Sequence, residues 1–218
     1  QVVGAVYKNS DPSDIAVTAA GGLVGEVIQV WRPRELNTHE TEWGFSCMSY
    51  EISGALGIKM ANPDKEVISF VGDGSYLLNN TDIYSSVITN NKLIIIVCDN
   101  GGFAVINRLQ LFKGGNEYNN LLKSSNTPGL VNVDFAKHAE SMGAKSEHVN
   151  SISDLEEAFK RAKKSDVTYV ISIKTHAYQW LEGSAFWDSP TLEIPTTKEN
   201  EEALKLYKEG KNKQRQGV

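Results

Sequence analysis

Two short apolar runs, Glu66-Val67-Ile68-Ser69-Phe70-Val71 and Leu93-Ile94-Ile95-Ile96-Val97-Cys98, constrain the fold of this chain more than any other feature. Neither alternates cleanly between apolar and polar residues, as a strand with one wet face does. Both have the length and β-branched content of strands buried on two faces, and such strands belong to a parallel sheet covered by helices on each side. Residues 14–20 read as a strand running into Gly21-Gly22, and residues 145–149 and 167–173 read as two more. Helical patterns separate them. In residues 44–60, Met48, Ile52, Ala55 and Leu56 fall on one helical face. Phe135, Ala139 and Met142 share another, which stops at Gly143, a natural C-terminal cap. Ser153 with Glu156 forms a capping box in front of Leu155, Ala158, Phe159 and Ala162. This alternation predicts an α/β fold, a doubly wound, mainly parallel sheet with helices on both faces.

Composition narrows the class of ligand. The chain has 218 residues, 22% of them charged, and a net charge of -5, with basic residues scattered until the last stretch. A nucleic-acid or membrane surface is not expected, and an anionic ligand would need a cation to bind. No apolar run approaches the ~20 residues of a membrane span. Cys47 and Cys98 lack metal-type spacing and are expected as reduced thiols, which fits a cytoplasmic protein. Residues 1–197 read as one domain and residues 198–218 as a charged helix with a basic tail. The segment from Trp180 to Trp187, followed by Pro190 and Pro195, reads as an irregular excursion. A first residue other than Met suggests a fragment or a processed chain.

The strand ends hold the chemistry. The first run closes on Gly72-Asp73-Gly74, followed by Ser75, and after a gap of 24 residues from Gly74, Asp99-Asn100-Gly101-Gly102 closes the second. A lone Gly-Asp-Gly is commonly a turn. Two such ends side by side are more informative: glycines let the backbone approach a phosphate, while the Asp73 carboxylate and Asn100 amide oxygen suit a hard divalent cation. Together they read as a metal-bridged diphosphate site at the carboxyl ends of the strands, where Gly21-Gly22 also falls.

This pairing of Gly-Asp-Gly with a later Asp-Asn resembles the signature of thiamine-diphosphate-dependent enzymes. The resemblance implies thiamine diphosphate and Mg2+ as cofactors, with Asp73, Asn100 and the carbonyl of Gly102 binding the metal. It further implies that Gly74 and Ser75, preceded by Gly72, donate to the diphosphate from a helix N-terminus, with Gly21 and Gly22 doing the same. By the same likeness the Ser46 carbonyl would accept a bond from the aminopyrimidine, Met48 would wedge beneath the thiazolium, and Val105 would line that pocket. Met48 and Val105 have a plainer reading as core packing. The glutamate that activates the cofactor in this family comes from a pyrimidine-binding domain, usually of a second subunit, and that domain is absent from this chain. Glu40, Glu42 and Glu51 lie in the wrong segment for that role and are expected at exposed or substrate-facing positions.

Three runs, HETEWGFSCMSYEISGALG, VGDGSYLL and CDNGGFAVINRLQ, are similar to one branch, the trihydroxycyclohexane-1,2-dione hydrolases of myo-inositol catabolism. The likeness implies a cyclic dione as substrate, cut between adjacent carbonyls toward 5-deoxyglucuronate, in a homodimer or homotetramer whose N-terminal domain and second subunit complete the site. The pair Asn107-Arg108 stands where that branch has two asparagines, and Ser49 where it has glycine. Two other readings stay open: a carboligase or 2-oxo-acid decarboxylase using the same cofactor residues, and a non-catalytic structural module. Among the histidines, His39 is expected in a strand-to-helix loop, and His176 follows the last strand near the site mouth. Neither is assigned catalysis.

Overall fold

In the computed structural model, residues 1–126, 129, 131–181 and 191–214 are described. The two apolar runs form β3 (Val67–Gly72) and β4 (Ile94–Asp99), at the centre of a six-stranded sheet. Around them lie β1 (Ile15–Thr18), β2 (His39–Thr41), β5 (Lys145–Val149) and β6 (Tyr169–Lys174), in the order β2-β1-β3-β4-β6-β5. Every pairing is parallel. Burial follows position: all of β4 is buried, whereas β2 and β5 at the edges are partly open. This is the expected doubly wound α/β fold.

The lack of alternation in β4 has a direct cause. Ile94, Ile96 and Cys98 face one core with Phe70, Leu155, Phe159 and Trp31, while Ile95 and Val97 face a second with Ile52, Tyr76, Ile83 and Phe135. The first core is roofed by α1 (Val2–Asn9), α2 (Gly21–Val30) and α8 (Ile152–Lys163). The second is roofed by α3 (Tyr50–Ala61), α4 (Asp73–Leu78), α5 (Thr81–Ile88) and α7 (Phe135–Ser141). Crossover handedness sorts the helices: steps from β1 to β2 and from β5 to β6 run one way across the sheet, and α2 and α8 share a face. Steps from β2 to β3, β3 to β4 and β4 to β5 run the other way, and their helices lie opposite, as a uniform right-handed crossover requires. Chain direction reverses between β1 and β3. That gap is the switch point where ligands of such sheets bind.

Several boundaries differ from the sequence expectation. The helix expected from residue 44 starts at Tyr50, because residues 42–49 are drawn into a loop: the Glu42 carboxylate accepts the Phe45 and Cys47 amides at 2.8 and 2.6 Å, and Ser46 and Ser49 have φ of 50° and 79°. Met48 therefore precedes the helix. Helix α8 is capped by Ser151, whose hydroxyl accepts from the Asp154 amide at 3.0 Å, not by Ser153, since the chain turns helical two residues earlier. His39 is in the edge strand β2, paired with Ala16, not in a loop. Gly143 has φ of 87° and follows α7 as expected. Helix α6 (Ala104–Phe112) stands over the carboxyl end of the sheet, and α9 (Lys198–Lys213) docks there, with the buried Asn200 amide donating to the Lys113 and Gly114 carbonyls at 3.3 and 2.9 Å. Of the Trp180–Trp187 segment, Trp180 and Leu181 are described; Phe186, Trp187 and Pro190, like the end of the tail at 215–218, lie outside the described residues. Among the described residues no helix is long and apolar enough to cross a membrane.

The two-core arrangement makes a simple contrast measurable. Ile96 is fully buried in β4, and Ile96→Ala should lower stability by about 2–5 kcal/mol in chemical denaturation. Ile88, 61% exposed, should change it by no more than about 0.5 kcal/mol when replaced by Ala.

Candidate cofactor and metal site

The sheet register brings the strand ends level. Gly72 lies beside Cys98, and Asp99 beside Lys174, so the residues that follow β3 and β4 emerge next to one another. Asp73 opens α4 and is only 4% exposed. The Asn100 amide donates to Asp73 Oδ1 at 3.3 Å. Beyond it the chain turns through Gly101 (φ 79°) and Gly102 (φ 138°), and a bridge pairs Gly102 with Leu121. Only glycine fits at 102, because a Cβ there would lie 2.4 Å from the Asn120 carbonyl oxygen.

Three oxygens converge as a result. The Asn100 side-chain oxygen faces the Gly102 carbonyl and the Asp73 carboxylate, with no proton between them. Turning the amide over would let its nitrogen donate to Gly102 O at 2.8 Å and Asp73 Oδ1 at 3.3 Å. The same cluster is satisfied without rotation by a cation, and one carboxylate, one amide and one carbonyl oxygen are hard donors of the kind magnesium or calcium takes. Among the described residues no group of three or more His, Cys, Asp or Glu is placed to hold a metal. Burial, then the neighbouring Asp99 charge, pushes the Asp73 carboxyl up to about 6, against the opposing pull of the Asn100 and Gly102 amides. A buried carboxylate in that state gains from a cation. Asp99 is otherwise engaged: it accepts the Gly101 amide at 3.1 Å and pairs with Lys174 Nζ at 2.5 Å, tying the ends of β4 and β6.

The glycine-rich segments lie around this cluster. Gly21 opens α2 with φ of 76°, and Cβ atoms built at Gly21 and Gly22 would meet the Val105 side chain at 3.8 and 3.9 Å. Gly22, Gly72, Asn100 and Val105 line one cavity of about 580 Å3, which Arg108 and His176 also border. At Gly74 a Cβ would fall 2.5 Å from the Phe103 ring, so any larger residue there would have to push that partly exposed ring aside. The Ser75 hydroxyl is committed to the protein, accepting the Ser49 amide at 2.6 Å and donating to Glu51 Oε2 at 2.8 Å. What α4 offers an anion is therefore its first-turn backbone amides, which lack intrahelical partners. Ser46 and Met48 do not border the cavity. Ser46 is exposed and Met48 half-buried on the 42–49 loop, which also displays Phe45 at 88% and Trp43 at 59% exposure.

Glu51 departs from its expected exposed or substrate-facing position: it is 1% exposed, and burial raises its carboxyl above the usual range. The signal was present, since Glu51 shares the inward stripe of α3 with Ile52, Ala55 and Lys59. Glu40 is exposed and Glu42 half-buried. Arg108, which stood out in the sequence only as a departure from the branch's paired asparagines, stacks 4.4 Å from the Trp180 ring. His176 borders the cavity and accepts the Tyr178 amide at 3.0 Å, while burial lowers the basicity of His39. Both thiols are free, Cys47 exposed and Cys98 buried, with the Cys98 thiol pushed up to about 12.

Comparison with known proteins agrees with this geometry. Residues 19–173 match the family model described as thiamine pyrophosphate enzyme, C-terminal TPP binding domain. Curated relatives named 3D-(3,5/4)-trihydroxycyclohexane-1,2-dione hydrolase include one from Bacillus licheniformis, 37% identical over 94% of this chain and 32% of its own length. Another, from Lacticaseibacillus casei, is 37% identical over 96% of this chain and 32% of its own length. The chain thus spans about a third of the relatives it matches. A thiamine diphosphate-dependent 4-hydroxybenzoylformate decarboxylase from Rhodococcus jostii superposes with a TM-score of 0.69 at 22% identity, covering 81% of this chain and 32% of that one. Benzoylformate decarboxylase from Polynucleobacter necessarius superposes at 0.66, also with 22% identity, over 83% of this chain and 33% of its own; at that identity both speak for the fold alone. Strand-end glycines, the oxygen cluster and the matched family model agree, and the chain belongs to the thiamine pyrophosphate enzymes as their C-terminal cofactor-binding domain.

Proposed function

We propose that this chain is the cofactor-binding part of a thiamine-diphosphate-dependent hydrolase that opens a cyclic 1,2-dione between its two carbonyls, as in the breakdown of inositol. The observation that carries the cofactor half is the convergence of Asp73, Asn100 and Gly102 oxygens beside the glycine-lined cavity. The substrate half is supported by the names of relatives that align over nearly all of the chain. In this reading Asp73, Asn100 and Gly102 hold Mg2+, and Gly21, Gly22, Gly72, Gly74 and the Ser75 amide hold the diphosphate. When bound, thiamine diphosphate supplies the electron sink that lets a carbon–carbon bond next to a carbonyl break. The chain's own residues position that group and neutralise its charge. Val105 lines the cavity wall, while Ser46 and Met48 reach the cofactor only if the 42–49 loop folds toward it in the assembled enzyme. Water enters the overall reaction, so the ring opens to a single chain that carries a carboxylate at one former carbonyl and an aldehyde at the other, with one proton released. An N-terminal domain and a second subunit supply the activating glutamate, in a cytoplasmic homodimer or homotetramer; the two free thiols agree with that compartment.

Two measurements follow. The full-length protein should consume the cyclic dione with thiamine diphosphate and Mg2+, and bind the cofactor in a calorimetric titration only when the metal is present. Asp73→Ala should lower kcat/KM by about 100-fold or more, at least the effect of disturbing a metal's outer shell. No dione turnover combined with carbon dioxide release or acetolactate formation from 2-oxo acids would replace this reading with a decarboxylase or carboligase. Absence of any metal-dependent cofactor binding would leave a structural module.

The second measurement uses the Asp73 carboxyl, raised in the fold from 3.8 to about 6. Between those values the folded chain holds more proton than the unfolded one, so this group's contribution to stability is complete below 3.8 and disappears as pH rises through about 6. Relative to Asp73→Asn, the metal-free protein should lose thermal stability across that window. Magnesium competes with the proton for the same oxygens, so the rise in midpoint it causes should grow over the same window in the parent and be absent from the variant. Parallel curves for both proteins would remove Asp73 from the metal set.

A further inference from the structure

Glu51 is a buried acid behind the cofactor-facing segments, and its bonds reach three of them. Its Oε1 accepts the amide of Ala20, the residue that caps α2 and precedes Gly21-Gly22, at 3.2 Å. Its Oε2 accepts the Ser75 hydroxyl, two residues beyond Asp73, at 2.8 Å. That hydroxyl accepts in turn the amide of Ser49, at the end of the 42–49 loop, at 2.6 Å. The Glu51 backbone carbonyl accepts the buried Ser69 hydroxyl of β3 at 2.8 Å, which pins the start of α3 to the sheet. A carboxylate with 1% exposure is costly to retain where an apolar side chain would pack. Its placement in the first turn of α3, against the positive end of that helix, offsets part of that cost.

The chemistry of these contacts is selective. Ala20 and Ser49 lie beyond the ends of the paired strands β1 and β2, where that pairing has stopped at Thr18 and Thr41, and the Glu51 carboxylate with the Ser75 hydroxyl ties the two amides together there. A carboxylate has two acceptor oxygens and no proton to give. It can hold a backbone amide on one oxygen and a hydroxyl on the other, leaving that hydroxyl free to accept the second amide. Glutamine at the same place would keep one acceptor and present a donor to Ser75, whose proton would find a new partner only by turning the hydroxyl away from the Ser49 amide. We propose that Glu51 is a positioning residue: its carboxylate fixes the β1–α2 junction, the first turn of α4 and the 42–49 loop relative to one another, and so pre-shapes the cradle for the cofactor. The proposal rests on the cofactor reading above and goes beyond it by assigning the work to a residue that touches neither metal nor ligand.

The test compares the native-length protein with Glu51→Gln and Glu51→Ala, by amide hydrogen exchange without cofactor and by calorimetric titration with thiamine diphosphate and Mg2+. In Glu51→Ala the amides of Ala20 and Ser49 should exchange about tenfold faster or more, while those of β5 and α8 do not change. In Glu51→Gln, Ala20 should keep its protection and Ser49 should lose it. This split distinguishes a positioning contact from a general loss of packing. Cofactor affinity should fall by about tenfold or more in Glu51→Ala, the lower end of what outer-shell partners contribute. Unchanged exchange at both amides overturns the proposal, and so does local loosening with unchanged affinity. Should Glu51→Ala fail to fold, the near-isosteric Glu51→Gln still decides through the Ser49 amide. Failure of the unsubstituted protein to bind cofactor would instead overturn the function proposed above, and the exchange pattern, which needs no cofactor, would still decide whether Glu51 positions these segments.

Discussion

A parallel strand covered on both faces has no wet side on which to place a polar group, and the molecule is arranged around that restriction. Apart from Ser69, whose hydroxyl donates to the Glu51 carbonyl, strands β3 and β4 give their interior positions to the two cores, so their first opportunity for chemistry is at the carboxyl end. There Gly72-Asp73 and Asp99-Asn100 emerge level, because the parallel register leaves no offset between neighbours. The direction of the crossovers then places the β1–α2 glycines on the adjoining side. Burial that forbids function along the strands thus concentrates it at one edge.

The same burial sets the electrostatics of that edge. Asp73 and Asp99 are both nearly inaccessible, and each needs something to offset its charge. Asp99 has Lys174, reached across the β4–β6 pair. Asp73 has only backbone amides, and burial together with the Asp99 charge outweighs them and raises its carboxyl to about 6, where a cation would be favourable. Two adjacent acids in one low-dielectric pocket are thereby given different roles by what lies beside them.

What the sequence could convey tracks how local each cause is. The central strands and the helix over residues 135–141 were legible because apolar content and spacing report burial directly. Asp73 and Asn100 stood out as a pair because two strand ends repeat one chemistry, whereas the Gly102 carbonyl entered through the family resemblance alone. The start of α3 was not, since the Glu42 side chain holds the Phe45 and Cys47 amides and no periodicity reports a side chain that captures backbone. Strand β2 was hidden for a similar reason: three residues with one exposed and two half-buried positions acquire their structure from β1 alone. The Ser151 cap lost to Ser153 on pattern because both serines precede the same apolar stripe. Glu51 was misplaced because an acid next to glycine-rich segments suggests solvent, whereas its partners, Ala20 and Ser75, are 31 and 24 residues away in the chain.

The bridge between Gly102 and Leu121 separates two histories of change. Phe103 donates its amide to the Asn120 carbonyl at 2.7 Å, and Leu122 donates to Gly101 at 2.9 Å, so residues 103–120 leave and return through a single clamp. Lengthening or recutting that stretch alters what overhangs the cavity, including α6 and its Arg108, without moving the carbonyl at its base. Under the proposed function, a lineage could therefore exchange one substrate for another by rewriting the overhang while inheriting the Gly102 carbonyl unchanged.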